Sequence, residues 1–193
     1  MRIERMTAFT DGVVAIIITI MVLGLKVPTS GEPEALLAAA PILATYVLSY
    51  INVGLYWNNH HHLLAAAERI DGRALWANLF LLFWMSLIPF VIRWINVAGF
   101  VAAPVASYGL VLGMSALGYR LLQHSIIAVN GGTESRLAQA VGRDRKGWLS
   151  LFGYFSATAL AFIEPLAAIG LYVAISAAWL VPDQRIERRL IGS

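Results

Sequence analysis

Apolar residues run along this chain in long blocks rather than in the alternation of a half-buried strand, and polar residues collect in short gaps between the blocks. A helix needs roughly 20 mostly apolar residues to cross about 30 Å of hydrocarbon. Six blocks reach or approach that length: about Thr7 to Leu25, Leu36 to Asn58, Ala74 to Trp94, Phe100 to Gln123, Trp148 to Ile163 and Leu166 to Val181. The pattern predicts an all-α, polytopic membrane protein with six transmembrane helices, in a single domain over residues 1–193. The last two blocks are short, so the Glu164-Pro165 break between them is predicted to be a tight turn. The first block does not read as a signal peptide. It contains Asp11, lacks a small-residue cleavage site and ends in Lys26-Val27-Pro28.

Composition strengthens this picture. Hydrophobic residues make up 59% of the chain and charged residues 13%, against about 45–50% and about 25% in soluble domains. One small core cannot hide that much apolar surface, which argues against a monomeric water-soluble enzyme. With no cysteine, disulfides, thiolate chemistry and cysteine-ligated zinc are excluded. The net charge of +3 does not point to nucleic acid, because the basic residues sit in short loops. With six spans both termini share one side. Arg2, Arg5, Arg69, Arg73, Arg120, Arg136, Arg143, Arg145, Lys146, Arg185, Arg188 and Arg189 fall there, leaving Lys26 and Arg93 opposite. The positive-inside rule therefore predicts a multi-pass protein of the cell membrane with both termini in the cytoplasm.

Ionisable residues inside a span are costly and draw attention to function. Asp11, Arg93 and Glu164 qualify, beside the run His60-His61-His62. Arg93 is near a span end and can snorkel, and Glu164 sits at a helix junction within reach of water. Asp11 follows Thr10 near the start of span one, where it serves either as a local cap or as part of an interhelical polar network. Consecutive helical residues point about 100° apart, so three adjacent histidines do not converge on one metal ion. The expectation is His60 turned inward, with His61 and His62 at the interface.

Protease readings fare poorly. Gly113-Met114-Ser115-Ala116 lacks the last glycine of a rhomboid-type nucleophile site, and an aspartyl enzyme would need paired aspartates where the spans offer Asp11. Gly109 and Gly113 form a GxxxG pair, a signature of close helix packing. On span one, with Ile16 at zero, Thr19 falls at about −60°, Ile20 at about +40° and Leu23 at about −20°, whereas Asp11 is about 140° away. Pattern alone leaves open whether this stripe meets lipid, core or a pore, since a span in lipid is apolar all round.

The run Arg5-Met6-Thr7-Ala8-Phe9-Thr10-Asp11-Gly12-Val13-Val14-Ala15-Ile16-Ile17-Ile18-Thr19 resembles the opening R-x-x-x-F-S-D-G-V-x-A-I-x-I-T of the transmembrane-protein-175 family. That family comprises lysosomal potassium channels and bacterial six-helix relatives. Trp57-Asn58-Asn59-His60-His61 is similar to its W-x-N-H-H, and Ser86-Leu87-Ile88-Pro89-Phe90 to its S-L-I-P-F. Thr10 stands where the family usually has serine. It keeps the hydroxyl and adds a methyl.

The resemblance implies a homotetramer embedded in membrane lipid, with helix 1 of each subunit lining a central pore. Ile16, Ile20 and Leu23 then correspond to hydrophobic gate positions, and Thr19 to a ring of hydroxyls favouring potassium modestly over sodium. Arg5, Phe9, Thr10, Asp11, Trp57, Asn59 and His60 would form a structural polar network fixing helix 1, open to titration at His60. Neither an enzymatic activity nor a cofactor is implied, potassium being the permeant ion; no metal centre or nucleic-acid partner is implied either. No S4-like arginine series suggests voltage sensing. The alternative is a proton-conducting or proton-coupled transporter using Asp11, His60 and Glu164.

Overall fold

A computed structural model describes residues 2–28, 30–141 and 144–180 of the chain. It is all-helical among those residues. Helices α1 (Ile3–Leu23), α2 (Pro33–Ala65), α3 (Gly72–Ser86), α4 (Ile88–Ala98) and α5 (Ala102–Val129) are followed by a single 3-10 turn. The short α6 (Arg136–Val141), then α7 (Arg145–Leu160) and α8 (Pro165–Leu180), complete the fold. The expected end of span six at Val181, and Arg143, Arg185, Arg188 and Arg189 of the basic side, lie outside the described residues.

Among the described residues, four stretches are long and apolar enough to cross a membrane: Ile3–Leu23, Pro33–Ala65, Gly72–Ala98 and Ala102–Val129. Together they make this a multi-pass membrane protein. The last two expected spans appear as α7 and α8, with 16 residues each. At 1.5 Å per residue α7 covers about 24 Å, short of about 30 Å of hydrocarbon, and α8 is described up to Leu180. Span two runs longer than expected, because Pro33 at its first turn starts it early and the histidines continue it to Ala65.

The third span differs from the continuous helix expected over Ala74–Trp94. It breaks at Leu87 into α3 and α4. Pro89 has no N–H to donate to the Met85 carbonyl, and its ring disfavours helical backbone before it. At its start, the Asp71 carboxylate caps α3 by accepting from the Ala74 amide at 2.9 Å.

Packing sets the layout. α1 lies against α2, α3 and α4, while α5 runs between α3 and α7, and α8 closes against α7. Close approach of α3 and α5 depends on Gly118, where a Cβ would fall 2.8 Å from the Leu81 Cα. Gly109 similarly leaves room for Tyr172 and Thr158, so the GxxxG pair lies in tightly packed helix surface. The start of α1, the end of α2, the start of α3 and the end of α5 share one end of the bundle. There Asn130 ties the 66–71 loop to α5: its side-chain oxygen accepts from the Glu68 and Arg69 amides, both at 2.9 Å, and its amide donates to the Arg69 carbonyl at 2.8 Å. This end carries Arg69, Arg73 and Arg120 and is called the basic end below.

Candidate functional site

Helix α1 has two different faces. Met6, Thr10, Val14, Ile17 and Met21, spaced three or four residues apart, are buried against the neighbouring helices. The opposite face is bare: Ile16 is 59% exposed, Ile20 51% and Leu23 78%, and Thr19 is exposed beside them. The Thr19 hydroxyl donates to the Ala15 carbonyl at 2.8 Å, one turn back. Its proton is thereby committed to the backbone, and its oxygen lone pairs are left to face outward. All four residues expected on one stripe therefore do lie on one exposed face.

The buried face is anchored by a three-helix polar cluster. Asn78 of α3 donates its amide to Thr10 Oγ1 at 3.0 Å, and its carbonyl oxygen lies 3.0 Å from His60 Nε2 of α2. His60 Nε2 is also 3.5 Å from Thr10 Oγ1, closing a triangle. All three side chains are fully buried. They meet because they sit at similar depth from the basic end, each within about two turns of its helix terminus. His61 and His62 point outward, as the spacing requires.

Asp11 makes a separate contact, its carboxylate accepting from the Trp57 indole N–H at 2.8 Å. This bond joins α1 to α2 on an exposed edge of the subunit, and Trp57 in turn stacks on His61 with ring centroids 6.0 Å apart. The network expected from sequence is thus two smaller pieces, Thr10–His60 and Asp11–Trp57. Arg5 and Phe9 do not join either. Both are exposed, and at 100° per residue they fall within about 20° of Ile16, extending the bare stripe towards the basic end. Asn59 joins neither piece; its backbone carbonyl accepts from the Tyr119 hydroxyl of α5 at 3.2 Å.

Asn78 was not anticipated. Its signal was present, as a lone carboxamide in an otherwise apolar stretch, Leu75 to Phe83. A second cluster was equally unanticipated. Asn52 of α2 exchanges hydrogen bonds with Ser176 of α8 and accepts from Tyr154 of α7 at 3.3 Å, while Ser49 pairs with Tyr108 of α5 at 2.9 Å. At the basic end Arg120 forms an ion pair with Asp144, its guanidinium 4.3 Å from the Trp148 ring. Asp144 also caps α7 through the Gly147 amide at 2.9 Å. Glu164 lies in the exposed turn between α7 and α8, at the other end of α7 from Asp144. The described subunit therefore does not bring Glu164 together with Asp11 and His60.

Residues 5–89 match the family model described as endosomal/lysosomal potassium channel TMEM175. A protein from Chryseobacterium sp. (strain P1-3), named as a potassium channel, is 46% identical over 186 residues, covering 96% of each chain. The chain belongs to the TMEM175 family. Another protein named as a potassium channel, from Streptomyces collinus, is 32% identical over 182 residues, covering 86% of this chain and 87% of the relative. The fold matches the crystal structure of a lysosomal potassium-selective channel TMEM175 homolog from Chamaesiphon minutus. Its TM-score is 0.77 at 23% identity, over 93% of this chain and 96% of that one. TMEM175 proteins are ion channels and not enzymes. The matched segment runs from Arg5 to Pro89, so it covers most of α1, the Asp11–Trp57 bond, the Thr10–His60–Asn78 triangle and the helix break.

Proposed function

We propose that this protein is a potassium-permeable channel in which four copies of α1 surround a central pore. Both termini are cytoplasmic, and α7 and α8 complete a six-span subunit. Ile16, Ile20 and Leu23 form successive apolar rings that close the path by dewetting, and the channel opens when α1 tilts or rotates outward. Thr19 supplies a ring of hydroxyl oxygens that substitutes for part of a cation's hydration shell. Potassium, the more weakly hydrated ion, passes more readily than sodium, with modest selectivity because no run of filter carbonyls is present. The channel needs no cofactor.

The observation that carries this reading is the two-faced character of α1: its far side is locked into the bundle while the Ile16–Leu23 stripe is left bare. One helix encloses nothing, but a ring of identical helices related by rotation does. The hydrogen-bonded Thr10–His60–Asn78 and Asp11–Trp57 contacts then act as structural anchors that fix the stripe's direction, not as ion ligands.

The chain's lack of cysteine makes a direct test available. Leu23→Cys, placed nearest the end of the stripe, is expected to let a charged, water-soluble thiol reagent block potassium flux. Cysteine at buried Val14 is expected to remain insensitive. Block at neither position, in protein that conducts, would put the stripe against lipid and refute the pore assignment.

A further inference from the structure

At the basic end, between α3 and α5, lies an open groove of about 610 Å³, lined by Asp71, Arg73, Trp76, Phe80, Leu121 and Ser125 among others. Its chemistry is graded along its length. Asp71 and Arg73 stand at the mouth, two residues apart, on either side of the α3 start. Further along α3 come the Trp76 and Phe80 rings, with Leu121 on α5; Trp76 is 75% exposed. The Ser125 hydroxyl donates to the Leu121 carbonyl at 2.8 Å, so it adds little polarity to the floor.

We infer that this groove binds a phospholipid whose headgroup carries both a phosphate and a primary ammonium, phosphatidylethanolamine being the simplest. Charge complementarity selects that occupant. Among the described residues Asp71 and Arg73 form no ion pair with each other, which leaves one cation and one anion side by side at the bilayer surface. The guanidinium of Arg73 matches a phosphate with paired N–H donors. The Asp71 carboxylate uses one oxygen to cap α3, and the carboxylate accepts hydrogen bonds from an ammonium as it would from lysine. A quaternary choline headgroup has no N–H to offer Asp71, and a glycerol headgroup has no positive charge. Below the headgroup, Trp76 is placed as an interfacial aromatic, and one acyl chain lies along Phe80 and Leu121.

The groove is also in a position to meet lipid. The packing partners of α1 are α2, α3 and α4, whereas α5 forms a second row between α3 and α7. In an assembly centred on α1, as proposed above, the α3–α5 groove therefore opens away from the axis. The inference rests on that reading for its outward placement and on nothing in the conduction mechanism.

Purified protein in detergent, incubated with equal amounts of phosphatidylethanolamine, phosphatidylglycerol and phosphatidylcholine, provides the test, with retained lipid measured by native mass spectrometry. Wild type is expected to retain phosphatidylethanolamine in preference to the other two. Asp71→Asn keeps a capping side chain and so tests charge without breaking α3; it is expected to lower the preference for phosphatidylethanolamine over phosphatidylglycerol about fivefold, the worth of one exposed charge pair. Arg73→Gln is expected to weaken retention of all three. Equal retention of the three lipids by wild type, or a preference that survives both substitutions, would overturn the assignment. Because retention is read without any flux, a protein that holds phosphatidylethanolamine as expected but conducts nothing would defeat the channel reading alone.

Discussion

At the residue scale, the anchoring of α1 depends on polar side chains that are fully removed from solvent. Thr10, His60 and Asn78 satisfy one another across three helices, and each deletion strands a partner in a low-dielectric interior. Asn78→Ala leaves both Thr10 and His60 with fewer partners and is expected to cost about 1–3 kcal/mol, read as a lowered thermal midpoint in detergent. Asn59→Ala, outside the triangle, is expected to cost clearly less; equal losses would show that the triangle is not special. Thr19 is a residue of a different kind, exposed and bonded to its own helix. Thr19→Val keeps shape while removing the outward oxygen, and is expected to move the potassium-to-sodium reversal potential towards zero without loss of folded protein. Thr10 and His60 were legible in the sequence because they sit in recognisable motifs. Asn78 was passed over because hydropathy averages a single amide into an apolar span. Arg5 and Phe9 share the opening motif with Asp11, yet helical geometry sends them to the other face, and motif membership says nothing about direction.

At the element scale, the apolar blocks located the long helices among the described residues, and departures have local causes. Pro89 splits the third span at Leu87 because the helix loses a donor there; the S-L-I-P-F motif was visible, but hydropathy does not register a missing N–H. The α3–α5 contact was not legible at all, since Gly118 looks like any glycine until Leu81 is found against it. Gly118→Ala puts a methyl into the Leu81 backbone and is expected to cost about 1–3 kcal/mol as an overpacked core does. Gly12→Ala, with open space at its Cβ, is expected to be tolerated; its measured stability, set beside that of Gly118→Ala, checks the packing directly.

At the scale of the whole molecule, α1 is packed on one side and leaves an apolar stripe bare on the other. The ring of subunits proposed around α1 would cover that stripe. That Arg69, Arg73 and Arg120 share one end was legible from loop composition, because charge is excluded from hydrocarbon. Hydropathy does not separate lipid-facing, subunit-facing and pore-lining positions, because all three are apolar in a membrane helix. Purified protein in liposomes, compared with Ile16→Asn for potassium flux with and without sodium replacement, gives the most direct measurement. A pore on α1 requires that wild type pass potassium faster than sodium, and that the polar substitution raise the flux by wetting the constriction. Correctly inserted protein whose flux is absent, or unchanged by Ile16→Asn, would contradict a hydrophobic gate on this helix.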